Sequence, residues 1–143
     1  MLKAAGGIDT AATPNLDEAL ALLPQADVLV FSGNHASCGT PPFQLALNKF
    51  ADEGKGLVML HAGVWRKWAP PASGYNQRFV GGGASSHGKG EFEVTVKQPA
   101  HPLMKGVPGT FKITDESYRV ELDPDAQAEV LATIPPDGKA PAA

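Results

Sequence analysis

Two short apolar runs constrain this chain most. Val28 to Phe31, entered from Asp27, and Leu57 to Leu60 each place four apolar residues in a row. Runs this short and continuous predict strands buried on both faces. Between them, Thr40-Pro41-Pro42 can open a helix and Gly54 can end it. Inside that segment Phe43, Leu47 and Phe50 share one helical face, with Ala46 beside them. Upstream, Asn15 and Glu18 have capping-box spacing behind Thr13 and Pro14, and LDEALALL suits a short helix ending at Pro24. Helix, strand, helix, strand with short connections predicts a parallel α/β sheet, because consecutive parallel strands need a crossover and residues 40–54 supply one. Such a sheet is expected to carry helices on both faces. Its ligand site is expected beyond the carboxyl ends of the strands, at Ser32 to His35 and at His61 to Gly63.

The second half has a different texture. Residues 64–90 show no strong period, yet hold both tryptophans, Tyr75 and the triplet Gly81-Gly82-Gly83. A long irregular segment of this kind is usually functional or mobile. From Glu91 the alternation of EFEVTVK predicts a strand exposed on one face. Phe111 to Ile113, Tyr118 to Leu122 and Ala128 to Ile134 are further short strand candidates. The layout is a parallel α/β core followed by a β-rich segment, read as a single domain over 1–143 with loose ends at about 1–12 and 135–143.

Charge and cysteine content exclude several classes of function. Twelve basic residues against 15 acidic ones give a net charge of −3, which argues against a nucleic-acid partner. A single cysteine cannot form an intramolecular disulfide or a CxxC zinc site. No apolar run approaches the roughly 18 residues needed to span a bilayer, so no membrane association is expected. The first 15 residues lack the apolar stretch of a secretory signal, and the expected location is cytoplasmic.

Five segments together are distinctive: HAGVW at 61–65, RFVGGG at 78–83, SHGKGEFEVTV at 86–96, HPLMKGVP at 101–108 and DESYRVEL at 115–122. In order and spacing they resemble the ThuA-like (trehalose utilisation) family over about residues 27–134. The resemblance implies a flavodoxin-like, class I glutamine-amidotransferase-like three-layer sandwich. It also implies a role in sugar metabolism, with a sugar or keto-sugar such as a trehalose-type disaccharide derivative as the small-molecule partner. In the related amidotransferases a nucleophilic cysteine stands on the turn after a central strand; here His61 stands there. An imidazole does not replace a thiolate in acyl transfer from glutamine, so glutaminase activity is not expected. Relatives usually begin with an extra strand and helix and end with a further strand and a glycine-histidine segment. The chain therefore reads as truncated at both ends, which leaves a sheet edge open to association as a homo-oligomer.

His61 is the first candidate for acid–base work, since imidazole titrates near neutrality and can shuttle a proton between sugar atoms. Its alternative is a structural ring bonding the turn. His87, after the glycine triplet, can drop into a cleft from a loop, or simply sit on a surface turn. Glu116 and Tyr118 alternate along one side of an extended segment, so the carboxylate can move a proton while the phenol bonds or stacks. Asp115 beside them is a substrate-binding candidate, although the whole stretch also reads as a polar turn between two strands. Asn34 and His35 at the first strand end, Trp65 after the His61 turn and Gly82 in the glycine triplet complete the substrate-binding set. Trp65, Trp68 and Tyr75 can equally serve packing. His101 before Pro102 reads as a turn residue, and Cys38 as an ordinary thiol. No cofactor is expected, because nucleotide, flavin and nicotinamide motifs are missing. A divalent metal on the four histidines is a minor alternative, unsupported by HxH or HExxH spacing; His35 with Cys38 makes only HxxC.

Overall fold

The computed structural model describes residues 7–33, 36–66 and 74–135. Helix α1, Leu16–Leu22, begins where the sequence places it: the Asn15 side chain accepts from the Glu18 backbone N–H at 3.0 Å. Glu18 reaches back not to the Asn15 backbone but to Thr13, whose hydroxyl donates to Oε2 at 2.6 Å and accepts from the Asn15 N–H at 3.0 Å. Pro24 then tightens the chain into a 3₁₀ turn, Leu23–Gln25.

Strand β1, Val28–Phe31, pairs in parallel with β2, Gly56–Met59, with Val28 opposite Gly56 and Phe31 opposite Met59. Helix α2, Pro41–Asp52, is the crossover, with prolines in its first turn and Gly54 past its end at φ +76°. It buries Phe43, Gln44, Leu47 and Phe50. Phe43, Leu47 and Tyr75 form the centre of the core, and Leu16 and Leu20 of α1, Leu29 and Phe31 of β1, and Leu57 and Met59 of β2 pack on it. The parallel pair is thus an apolar sheet face laid on a helix layer.

The other face corrects an expectation. Val28, Val30, Val58 and Leu60 are 42–56% exposed, so the described helices cover one face of the parallel pair rather than two. A run of four apolar residues is consistent with a strand without fixing how many of its faces are buried, and the outward valines suit extended backbone through their β-branching as well as through burial.

The second half is more regular than its sequence suggests. After a π-helical turn, Asn76–Val80, strand β3 runs from Gly82 to Val96. It therefore begins well before Glu91, inside the stretch read as irregular. Glycine and serine have weak intrinsic strand preference, and here tertiary pairing supplies what propensity does not. Strand β4, Thr110–Leu122, pairs antiparallel with β3 along its length. It absorbs both Phe111–Ile113 and Tyr118–Leu122, so Asp115 and Glu116 lie within a strand and not on a turn. The last candidate shrinks to β5, Ala132–Thr133, on the other edge of β3. Residues 136–143, most of the expected loose end, lie outside the described residues, as do 1–6 of the first.

The two sheets meet just after β2. Trp65 forms a parallel bridge with Ala84, and the Arg66 N–H donates to the Ala84 carbonyl at 2.7 Å. The Arg66 guanidinium then bonds the Gly83 and Glu121 carbonyls and ion-pairs Asp123 at 3.0 Å. This clamp fixes β3 and β4 against the carboxyl end of β2 and carries β4 side chains towards His61.

Candidate active site

His61 is the first residue past Leu60, where the chain leaves β2 for a 3₁₀ turn, His61–Val64. Among the described residues it is the one non-glycine with positive φ, at +47°. A side chain in that region costs about 1–2 kcal/mol and persists only where the surroundings fix it. They do so here. The Leu60 N–H donates to the Phe31 carbonyl at 2.9 Å and the Gly63 N–H to the Leu60 carbonyl at 2.8 Å. The buried Tyr75 hydroxyl donates to the Gly63 carbonyl at 2.9 Å. Burial, then the nearby Cys38 charge, raises the Tyr75 pKa, so its hydroxyl remains a donor. Gly63 packs tightly here: a Cβ would lie 3.1 Å from the Phe31 carbonyl oxygen, so its neighbours would have to give by a few tenths of an ångström. The strained turn holds the His61 ring up at the strand end, 48% exposed.

Glu116, from the middle of β4, meets it. The His61 Nε2 to Glu116 Oε2 distance is 2.9 Å. A carboxylate only accepts, so Nε2 carries a proton, and in the neutral ring Nδ1 keeps the lone pair. Tyr118 follows on the same face of β4, its ring centroid 4.9 Å from that of His61. Its pKa is raised, by burial first, then by the charge of Glu116 and a hydrogen bond to it, then by Asp115. The phenol therefore stays protonated.

His87 arrives through a β-bulge. Ala84 opposes Val120 and His87 opposes Tyr118, so β3 carries one residue more than β4 in this interval. A bulge changes the parity of the strand, and here it sets Ala84 and His87 on one face although they are three residues apart. His87 stacks on Tyr118 at 5.3 Å and 18°. Trp65 stands edge-on to both rings at 5.8 Å. The His87 Nδ1 donates to the Gly88 carbonyl at 3.3 Å, which in the neutral ring leaves the lone pair on Nε2.

The chain thus brings together His61, Glu116, Tyr118, His87 and Trp65. Asp115 points to the other face of β4 and accepts from the Glu116 N–H at 2.7 Å; only its charge reaches Tyr118. Gly82 opposes Leu122, and a Cβ there would lie 2.0 Å from the Glu121 carbonyl oxygen. It serves the close approach of two strands. Asn34 and His35, and with them Trp68, lie outside the described residues. Reading residues in isolation misses Arg66 and the Ser85–Ser86 bulge. A lone arginine after a tryptophan and a serine pair in a glycine-rich stretch carry no local signal of either role. Among the described residues no group of three or more His, Cys, Asp or Glu side chains is placed to hold a metal ion, and no helix is long and apolar enough to cross a membrane.

A parallel β-α-β unit with a His–carboxylate pair at a strand end, leaned on by an antiparallel hairpin, is a mixed α/β domain built around a candidate acid–base site. The family described as ThuA, trehalose utilisation, matches residues 1–142, and the chain belongs to it. Membership associates the chain with carbohydrate metabolism. A solved structure described as that of a ThuA-like protein from Bacteroides uniformis shares the fold, with a TM-score of 0.73 at 21% identity. The likeness covers 95% of this chain and 57% of that protein, so this chain spans little more than half its length. No curated protein matches the chain.

Proposed function

We propose that the chain binds or converts a sugar or keto-sugar by acid–base chemistry at His61, with Glu116 as its partner. One observation carries this reading: the 2.9 Å contact between the His61 Nε2 and the Glu116 carboxylate at the end of a parallel strand. Glu116 fixes the tautomer and stabilises the imidazolium that forms when Nδ1 takes a proton. That proton comes from a sugar hydroxyl or from a carbon beside a ketone, and the imidazolium returns it to the neighbouring oxygen or carbon. His87 and the neutral Tyr118 hydroxyl bind hydroxyls, while Trp65 and Tyr118 offer ring surface to the C–H face of a pyranose. Isomerisation, hydrolysis and elimination all use such a pair. The positive φ of His61 after β2 also supports a class I glutamine-amidotransferase-like architecture, in which the strand-end turn presents the reactive side chain.

The second reading is a non-catalytic carbohydrate-binding or assembly module, or an inactive portion of a longer enzyme. The 48% exposure of His61 favours it, since proton transfer on sugars gains from exclusion of water. A panel of sugars including 3-keto derivatives, followed by mass spectrometry and calorimetry, separates the two. The catalytic reading expects product, and turnover about 10²–10⁴-fold lower in His61→Ala. Heat of binding without product supports the module. Unchanged turnover in His61→Ala removes His61 from the chemistry.

A further inference from the structure

A concave region lies apart from His61 and shares none of the residues gathered there. It is a groove of about 430 Å³ between the π-helical turn and the turn that follows β4. Gly81 ends the π-turn at φ +68°, and its carbonyl accepts from the Asp123 N–H at 2.9 Å. A Cβ on Gly81 would lie 3.3 Å from the Ala126 Cβ, so the two turns meet closely at this point. π-Helical turns recur at functional sites, and the volume falls within the range of small-molecule sites.

The charges around the groove are mostly neutralised. Arg78 bonds Asn48 and ion-pairs Asp52, and Asp123 ion-pairs Arg66. Asp125 has no ion pair among the described residues and is the one uncompensated charge on the lining. With it stand the side-chain amides of Gln77 and Gln127; the Gln127 Nε2 donates to the Asp125 backbone carbonyl at 3.4 Å and keeps a second N–H and its oxygen for other partners. Phe79, whose ring is fixed against Tyr75 at 5.6 Å, adds apolar surface.

We propose that this groove is a second binding site, for an uncharged polyhydroxylated molecule of one or two rings, separate from the His61 centre. Two side-chain amides and a carboxylate on one lining suit a ligand that carries several hydroxyl groups. The unpaired Asp125 repels phosphate and carboxylate groups, so phosphorylated sugars are disfavoured. The site does not depend on the reading of His61.

The test is a backbone and side-chain amide NMR titration of the full chain with glucose, trehalose, myo-inositol and glucose 6-phosphate. At least one neutral probe is expected to shift the Gln77 and Gln127 side-chain amides and residues 123–128, equally in the wild type and in His61→Ala. Filling the groove with Ala128→Trp abolishes those shifts while leaving the spectrum dispersed, and Gln127→Ala weakens binding about five-fold. Glucose 6-phosphate binds at least about ten-fold more weakly than glucose, and Asp125→Asn narrows that gap. Absence of shifts at the groove with all three neutral probes overturns the proposal. So do groove shifts that survive Ala128→Trp. Failure of the His61 reading is seen elsewhere, as sugar-independent signals from His61 and Tyr118.

Discussion

The parallel pair β1–β2 and the hairpin β3–β4 are held in place by different physics. β1 and β2 are four residues each, and side-chain burial against α1 and α2 dominates their stability. The hairpin is long, rich in glycine and exposed along much of β4. Backbone pairing, close strand approach and the Arg66 clamp hold it instead. The candidate site sits where the two meet: a strained residue from the packed region and a carboxylate from the paired one. A rigid strand end positions His61, and a bulge adjusts which hairpin side chains reach it.

Gly82→Ala should break the hairpin side of this contrast most severely. Its Cβ has 2.0 Å of room before the Glu121 carbonyl oxygen, so strand separation is expected, with a loss of about 3 kcal/mol or more in denaturant unfolding. An unchanged midpoint would show that the strands are not so closely apposed. Leu47→Ala tests the packed side and should cost about 2–5 kcal/mol, because Leu47 is wholly buried. Val30→Thr, on the uncovered face, should cost less than about 1 kcal/mol. Equal losses for the last two would mean that a partner covers that face in solution.

A smaller effect concerns the two tyrosines, one in each region's service. Tyr75 props the His61 turn and Tyr118 leans on Glu116, and both pKa values are raised. Above the ordinary phenol pKa of about 10 the folded chain therefore holds more protons than the unfolded chain. Stability should fall as pH rises through that value, and be insensitive to these groups below it. Absorbance at 295 nm should show phenolate appearing later than in free tyrosine, with the Tyr118 share lost in Tyr118→Phe. Ordinary titration of both would contradict the packing described.

Sequence reading recovers the packed region well because its signals are local. Apolar runs, the Asn15 cap and the Phe43–Leu47–Phe50 face each determine an element without help from distant residues. The hairpin is less legible. Gly82, Gly83, Ser85 and Ser86 speak against a strand one at a time, and only β4 makes them one. Asp115-Glu116 looks like a turn until its neighbours on β3 are known. The resemblance to ThuA-like proteins singles out Glu116 and His87 as candidates, whereas the bulge that orients His87 is a matter of register, which no single strand encodes. The outer face of β1–β2 is illegible for the opposite reason, since a local apolar run does not say how many layers cover it.

The most direct test of the account is long-range ¹H–¹⁵N NMR of the histidine rings. In the neutral form His61 should carry its proton on Nε2, with a downfield, exchange-protected Hε2 and an unprotonated Nδ1. Glu116→Gln should remove that protection while leaving the His101 ring signals unmoved. A His61 ring protonated on Nδ1, or one indifferent to Glu116→Gln, would contradict the pairing on which the site depends.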